Sequence, residues 1–429
     1  MKNNFYHPEL LQTPEGVRDI YGAECAAKEN VQRSIQEIIN NYGFEYIQTP
    51  AFEYFDIFNK ERGSVASNVM FKFFDRDNNT LVLRPDITPS IARSVAKYYE
   101  DENMPIRLCY TGNTYTNSYS HQGKLKETTQ VGAELINDDT SDADAEMIVM
   151  TIECLLKAGL TEFQIDVGHA DFFNGIAECA GLNPLQIKEL KEMLMNKNVF
   201  AIKQYLADIP IDENTKELLA KMPEMFGNNN YIEFARAKVC NEKSLKALDR
   251  LEKLYNIIDS YGCSQYVSLD FGMISSYTYY TGIIFRAYTY GTGEPVATGG
   301  RYDSLLSQFG HDGAAIGVAI CIDQLMLAMQ RQKIAVSGIE PVTIMLYEPS
   351  ERNAAIATAS RLRNDGMRIS MLRKSHNKDI NTYIEYAKRI RVADIIFIKD
   401  SLNASVIETA TGKESRIALN ELTKKEVLS

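Results

Sequence analysis

Residues 107–134 read RLCYTGNTYTNSYSHQGKLKETTQVGAE. The run opens as a strand, with Leu108 and Tyr110 on one face and Tyr115 following beyond Gly112. It passes through a polar loop, Asn117 to Lys126, rich in Ser, His, Gly and Lys. It then resumes as a second strand carrying Gln130 and Glu134. Positions i and i+4 of a strand point the same way, so these two polar side chains share a face. The expectation is an antiparallel pair joined by a long polar loop, with an amide and a carboxyl aimed at one side.

Composition narrows what such a pair serves. The chain has 429 residues, enough for two or three domains. Apolar residues make up 45% and charged residues 24%, an ordinary globular balance. No apolar run reaches the length of a membrane span, and the opening MKNNFYHPELLQTPEG has no apolar signal core, so a cytoplasmic protein is expected. The seven cysteines are scattered without a C-x-x-C pair, which argues against a disulfide framework or a zinc site. The formal net charge is −11. It is uneven: residues 341–429 carry 15 basic and 11 acidic residues, the remainder 31 and 46. A strong basic surface for nucleic acid is missing, so tRNA is not an expected partner.

Several further stretches join the opening run in one resemblance. Thr13-Pro14-Glu15-Gly16 reads as a turn. A helix from Ala26 to Tyr42 has Val31, Ile35, Ile38 and Ile39 on one face and Gly43 to end it, and a strand Phe44 to Pro50 follows. Val69–Asp75 and Thr80–Arg84 read as a hairpin. Arg84-Pro85-Asp86-Ile87-Thr88-Pro89 is a strand end entering a helix, with Thr88 a possible N-cap. The next helix runs from Ser141, read as its N-cap, to Gly159. Glu162 to Gly168 is a strand, and His169, read as structural, begins a helical stretch. Leu185 to Ser260 is almost entirely helical, its Leu and Met stripes belonging to a core. Strands are expected at Val267–Met273 and across Tyr277–Phe285, then Gly299-Gly300-Arg301-Tyr302-Asp303, then a strand and buried helix over Ala314–Met329. After a polar linker, strand, helix, strand, helix and strand alternate to Asp400, an α/β layer.

This order of motifs resembles the class II aminoacyl-tRNA synthetase fold, closest in wording to histidyl-tRNA synthetase and to the regulatory subunit of ATP phosphoribosyltransferase. The resemblance implies an α+β fold: an antiparallel sheet with flanking helices and a helical insertion, plus a small C-terminal α/β domain. It implies a core over 1–330 with an insertion at about 172–262, a linker at 331–340, and a reduced anticodon-binding-like domain at 341–429. By the same resemblance, Asp86, Thr88, Gln130, Glu134, Tyr279, Tyr280, Arg301 and Tyr302 stand where histidine would be held. Three positions depart from the synthetase pattern: Thr116, Ser275 and Gln324 replace arginines that grip ATP. Arginine suits that task because its planar fork donates two parallel bonds to phosphate and offsets the growing charge. A pocket that keeps the amino-acid residues and loses the arginines binds without adenylating.

The resemblance therefore implies a regulatory subunit with no activity, cofactor or metal of its own. It would support a short-form ATP phosphoribosyltransferase catalytic subunit in histidine biosynthesis, with L-histidine as feedback effector and a homodimer formed around Ala26–Pro50. The alternative class is a histidyl-tRNA synthetase or a derived ATP-dependent ligase, disfavoured by the missing arginines.

Overall fold

The computed structural model describes residues 11–58, 65–117, 124–239, 241–274, 279–336, 342–390 and 392–423. The chain divides into two compact units, Met1–Ser337 and Gly338–Ser429. The strands of the first are β1 Glu45–Tyr46, β2 Phe52–Tyr54, β3 Lys72–Phe74, β4 Thr80–Leu83, β5 Ile106–Tyr115, β6 Glu127–Ile136, β7 Gln164–His169, β8 Phe226–Gly227, β9 Val267–Asp270, β10 Ile283–Tyr288, β11 Ala297–Arg301 and β12 Ala315–Cys321. Its helices are α1 Gly22–Asn41, α2 Thr88–Tyr98, α3 Ser141–Ala158, α4 Ala170–Cys179, α5 Pro184–Met195, α6 Val199–Ala207, α7 Glu213–Lys221, α8 Asn230–Lys238, α9 Glu242–Ser260, α10 Asp303–Ser307 and α11 Ile322–Arg331.

Nine strands form one sheet in the order β1-β5-β6-β12-β11-β10-β7-β9-β8. Among the described residues of this sheet, only β1 with β5 and β7 with β9 run parallel. The expected strand pair is second and third from the β1 edge of this sheet: Gly112 faces Gln130 and Leu108 faces Glu134 across β5 and β6. One face of the sheet packs under α1 and α3, where Val31, Ile35 and Ile39 meet Ile148 and Ile152 in the main core. The insertion helices α5–α9 extend that core through Leu190, Leu218 and Leu251.

Local chemistry moved several boundaries. The strand expected over Phe44–Pro50 shrinks to β1. One more bond, Ile47 N–H to Cys109 O, continues the pairing at 2.8 Å. Pro50 has no N–H to extend it, and the Thr49 carbonyl is taken by Arg84. Thr140, not Ser141, caps α3, accepting from the Ala143 N–H at 3.1 Å. Gly159, with φ of 102°, ends that helix in the left-handed conformation. Of the strand expected across Tyr277–Phe285, Tyr277 and Thr278 lie outside the described residues, Tyr279 to Gly282 are non-strand, and β10 starts at Ile283.

The second unit holds β13 Val342–Tyr347, β14 Arg368–Arg373, β15 Asp394–Ile398, β16 Asn403–Glu408 and β17 Glu414–Ala418, with helices α12 Arg352–Asn364 and α13 Ile380–Arg389. β13 pairs in parallel with β14 and β15. Period-two alternation sends Met345 into the core beneath α12 and Ile344 and Leu346 into the core with Tyr383 of α13. The alternation expected from the sequence ends at Asp400. The antiparallel strands β16 and β17 complete a five-stranded sheet beyond it.

Candidate functional site

Above the middle of the large sheet lies a cleft of about 420 Å³, its open mouth included. Pro85, Asp86, Thr88, Gln130, Glu134, Tyr279, Tyr280 and Tyr302 line it, with Thr298, Gly300 and Gly317 among the floor residues. Seven of the eight sequence-expected binding residues therefore converge, although Asp86 and Tyr302 lie more than 200 positions apart in the chain. The register explains the convergence. Glu134 sits opposite Gly317 on β12, and Gly317 sits opposite Gly300 on β11. Paired residues of an antiparallel sheet point to the same face.

Glycine is required at two of these positions. A Cβ on Gly317 would overlap the Oε2 of Glu134, and one on Gly300 would lie 2.9 Å from the Tyr280 ring. The floor is thus built of backbone so that a carboxyl and an aromatic ring can lie flat on it. Gly317 and Thr298 were not singled out in the sequence. Their signal was the β12 and β11 registers, which no local pattern reveals.

Glu134 is 1% exposed. Thr88 Oγ1 donates to its Oε1 and the Tyr302 hydroxyl to its Oε2, both at 2.8 Å. No cation pairs with it among the described residues. Burial pushes its pKa up to about 8, against the opposing hydroxyl bonds and with a further push from Asp86. Thr88 is therefore a cleft residue, not a helix cap: Ile87 holds the N-cap position and no side chain bonds there. Asp86 accepts from the Tyr279 hydroxyl at 2.8 Å and from the Thr88 N–H at 3.2 Å. The Tyr279 ring meets Tyr280 and Tyr302 edge-on, with centroids 5.1 and 6.2 Å apart, forming an aromatic wall. Gln130 Oε1 is buried with no partner. A ligand with one cationic end and one planar N–H donor suits this set of oxygens.

Arg301 does not join the cleft. It leaves β11 on the opposite face and is 2% exposed. Its Nε and Nη2 donate to Asp144 at 3.0 and 2.6 Å, and its Nη1 donates to the Asp138 carbonyl at 2.9 Å. Strand alternation decides this: Gly300 and Tyr302 reach the cleft, so the residue between them cannot. His169 is structural as expected. Its Nδ1 accepts from the Asp171 N–H at 3.2 Å, and burial, with Arg250 and Arg301 nearby, pulls its pKa down to about 3.

The positions where a synthetase would carry ATP-gripping arginines are of another kind. Thr116 lies just past β5, its N–H bonded to the Lys126 carbonyl at 2.8 Å. Gln324 is in the first turn of α11. Beside it, Asp323 accepts from Lys28 Nζ at 2.7 Å and from the Thr129 N–H at 2.6 Å, which ties α1, β6 and α11 together. Ser275 lies outside the described residues.

A mainly antiparallel sheet with a buried carboxyl cleft on one face and helices on the other is the architecture of the class II histidyl-tRNA synthetase-like proteins. The histidyl-tRNA synthetase family pattern matches residues 16–325. Histidyl-tRNA synthetase from Nostoc sp. PCC 7120 shares the fold, with a TM-score of 0.80 over 96% of this chain and 97% of that one, at 16% identity. An ATP phosphoribosyltransferase regulatory subunit/histidyl-tRNA synthetase from Bacillus halodurans superposes with a TM-score of 0.82, is 32% identical, and is matched over 91% of this chain and 99% of its own. The ATP phosphoribosyltransferase regulatory subunit of Acetivibrio thermocellus is 36% identical over 414 residues, 96% of this chain and 99% of the relative. The chain belongs to the family of ATP phosphoribosyltransferase regulatory subunits, which places it in histidine biosynthesis. Among the described residues no helix is long and apolar enough to cross a membrane.

Proposed function

We propose that this protein is a non-catalytic regulatory subunit that binds L-histidine in the cleft and confers histidine feedback inhibition on a short-form catalytic subunit. One contrast carries the reading. The buried oxygens of Glu134, Asp86, Thr88 and Gln130 remain, while Thr116 and Gln324 stand where ATP would need arginine. Asp86 and Gln130 take the ligand ammonium, with Thr88 beside them. Glu134 and Tyr280 take the imidazole, with Tyr302 holding Glu134 in place. An acid plus a phenol distinguishes imidazole from an apolar side chain of similar size.

Histidine-dependent ATP–pyrophosphate exchange is expected at background. Thr116→Arg alone does not restore it, because Ser275 and Gln324 still lack charge. Exchange above background with the wild-type protein would point to a synthetase or ligase instead.

The protein assembles as a homodimer around α1 and β1 and binds the catalytic subunit, without tRNA. Tyr46 and Phe52 support the first contact, being 54% and 53% exposed beside the edge of the sheet. Histidine bound here acts at a distance only by favouring one quaternary state, a coupling of about 1–3 kcal/mol in typical cases. Light scattering of the two purified proteins, mixed at micromolar concentration, should show a mass above either alone. An unchanged mass with the cognate catalytic subunit rejects the partnership.

A further inference from the structure

Arg84 immediately precedes Pro85 and Asp86 of the cleft and is 7% exposed. Its Nε donates to the Asn113 carbonyl at 2.8 Å. Its Nη1 donates to the Thr49 carbonyl at 2.8 Å, to Thr49 Oγ1 at 3.1 Å and to the Pro50 carbonyl at 3.2 Å. These acceptors are carbonyls and a hydroxyl. Among the described residues no carboxylate bonds to it, and Glu53, an acid that feels its charge, is taken by Arg93 at 2.7 Å. Burial accordingly holds Arg84 below the usual guanidinium range. A buried cation without a counter-charge is costly, and proteins rarely keep one without an anion to receive.

The remaining nitrogen, Nη2, has no acceptor among the described residues. It occupies the space that a Cβ on Gly112 would fill. Gly112 is the partner of Gln130 across β5 and β6. Paired Cβ positions lie about 4.5–5.5 Å apart on one face of a sheet, and this is the face from which Gln130 lines the cleft; Gly112 and Arg84 lie just beyond that lining. Gln130 Oε1 is itself buried and unpartnered, and no hydrogen bond joins it to Arg84. The strand register thus puts a cation's N–H, at the Gly112 position, next to the Gln130 position whose amide oxygen is unpartnered, with the Asp86 carboxylate two residues along the chain from Arg84. Their complement is a molecule with an anion and an ammonium on adjacent atoms, an α-amino acid.

We propose that Arg84 Nη2 receives the α-carboxylate of the amino acid bound in the cleft. This rests on the reading that the cleft holds histidine. It supplies the partner left open by Ser275, where the resemblance leads one to expect arginine. Gly112 is part of the device, since a side chain there would displace Nη2. A nucleotide phosphate is the other anion a guanidinium takes, but the neighbouring acceptors for ammonium select the amino acid.

The test is calorimetric titration of the full-length protein with histidine and with histamine, which keeps the imidazole and the ammonium but lacks the carboxylate. Wild type should bind histidine at least about tenfold more tightly, the worth of one charge-assisted bond. In Arg84→Gln the ratio should collapse towards one, through loss of histidine affinity alone. Arg84 also braces Thr49, Pro50 and Asn113, so that variant can fail to fold. Gly112→Ala keeps the charge, but its Cβ takes the place of Nη2 and forces the guanidinium to shift; it should collapse the ratio in the same way. A folded variant with the wild-type ratio overturns the assignment. Equal weakening of both ligands also overturns it, by making Arg84 a brace only. Failure of wild type to bind histidine overturns the reading of the cleft, and this assignment with it, before any variant is made.

Discussion

Glu134→Gln should weaken histidine binding by at least about 30-fold, corresponding to the 2 kcal/mol or more lost when one member of a buried charged hydrogen-bond pair is removed. The side chain keeps its size. What changes is that one of its two oxygens becomes an NH₂ donor. Thr88 and Tyr302 both donate to this group, each at 2.8 Å. With the carboxyl 1% exposed, the displaced hydroxyl has no route to water. The ligand N–H loses its acceptor at the same time. Feedback inhibition of the complex should fail with binding, while its uninhibited activity stays close to wild type. The measurements are calorimetry on the subunit and phosphoribosyl-ATP formation by the reconstituted complex at rising histidine. A variant that binds as wild type does, or a complex that stays fully inhibited, removes Glu134 from the imidazole site.

The same residue sets a pH dependence. Its pKa in the empty protein is about 8, pushed up by burial. At pH 7 the group therefore holds its proton until ligand binds, and the proton must leave before both oxygens can accept from Thr88, Tyr302 and a ligand N–H together, so the bound state carries the carboxylate. Affinity should rise with pH from 6.5 and level off above 8, by up to about tenfold per unit, since each pKa unit is worth 1.36 kcal/mol. Glu134→Gln should flatten that profile.

Asp144→Asn should destabilise the protein more than any change in the cleft, by about 3–5 kcal/mol, the usual result of leaving a buried ion pair half made. Asp144 is fully buried. It accepts from two nitrogens of Arg301 and from Arg250 Nε at 2.7 Å. The two arginines also hold the carbonyls of Asp138 and Asp139, at 2.9 and 2.7 Å. Together they pin the start of α3 to β11 and to α9. An amide cannot balance two guanidinium groups there. Urea unfolding should show the loss as a lower midpoint. Histidine affinity of the folded variant should stay within about twofold of wild type, because Arg301 faces away from the cleft. A stable variant with weak binding would return Arg301 to the ligand.

Much of the fold was legible in the sequence because it rests on local regularities, whereas most of the cleft was legible only through the family resemblance. Period-two alternation placed Gln130 and Glu134 on one face, and the pairing of β5 with β6 agrees. Helical spacing identified the buried stripe of α1, and Val31, Ile35 and Ile39 are its buried residues. Asp86, Thr88, Tyr280 and Tyr302 are joined in the sequence only by the resemblance, and the cleft brings them together. Short-range cues decided less well where two local partners compete. Ser141 and Thr140 are both good caps, and only the bond to Ala143 chooses between them. Strands β16 and β17 carried no signal strong enough to extend the second unit past Asp400. The tertiary structure alone decided which side chain spends its hydrogen bonds where. Arg301 stands between two cleft residues in sequence, yet its charge is used up by Asp144 on the other face. Thr88 could cap a helix, yet its hydroxyl goes to a carboxyl 46 residues away. Gly317 resembles any strand glycine until Glu134 is seen lying across it. Hydrogen bonds and close packing act at about 3 Å in space with no regard for distance along the chain. Which groups meet is settled only when the sheet closes its register.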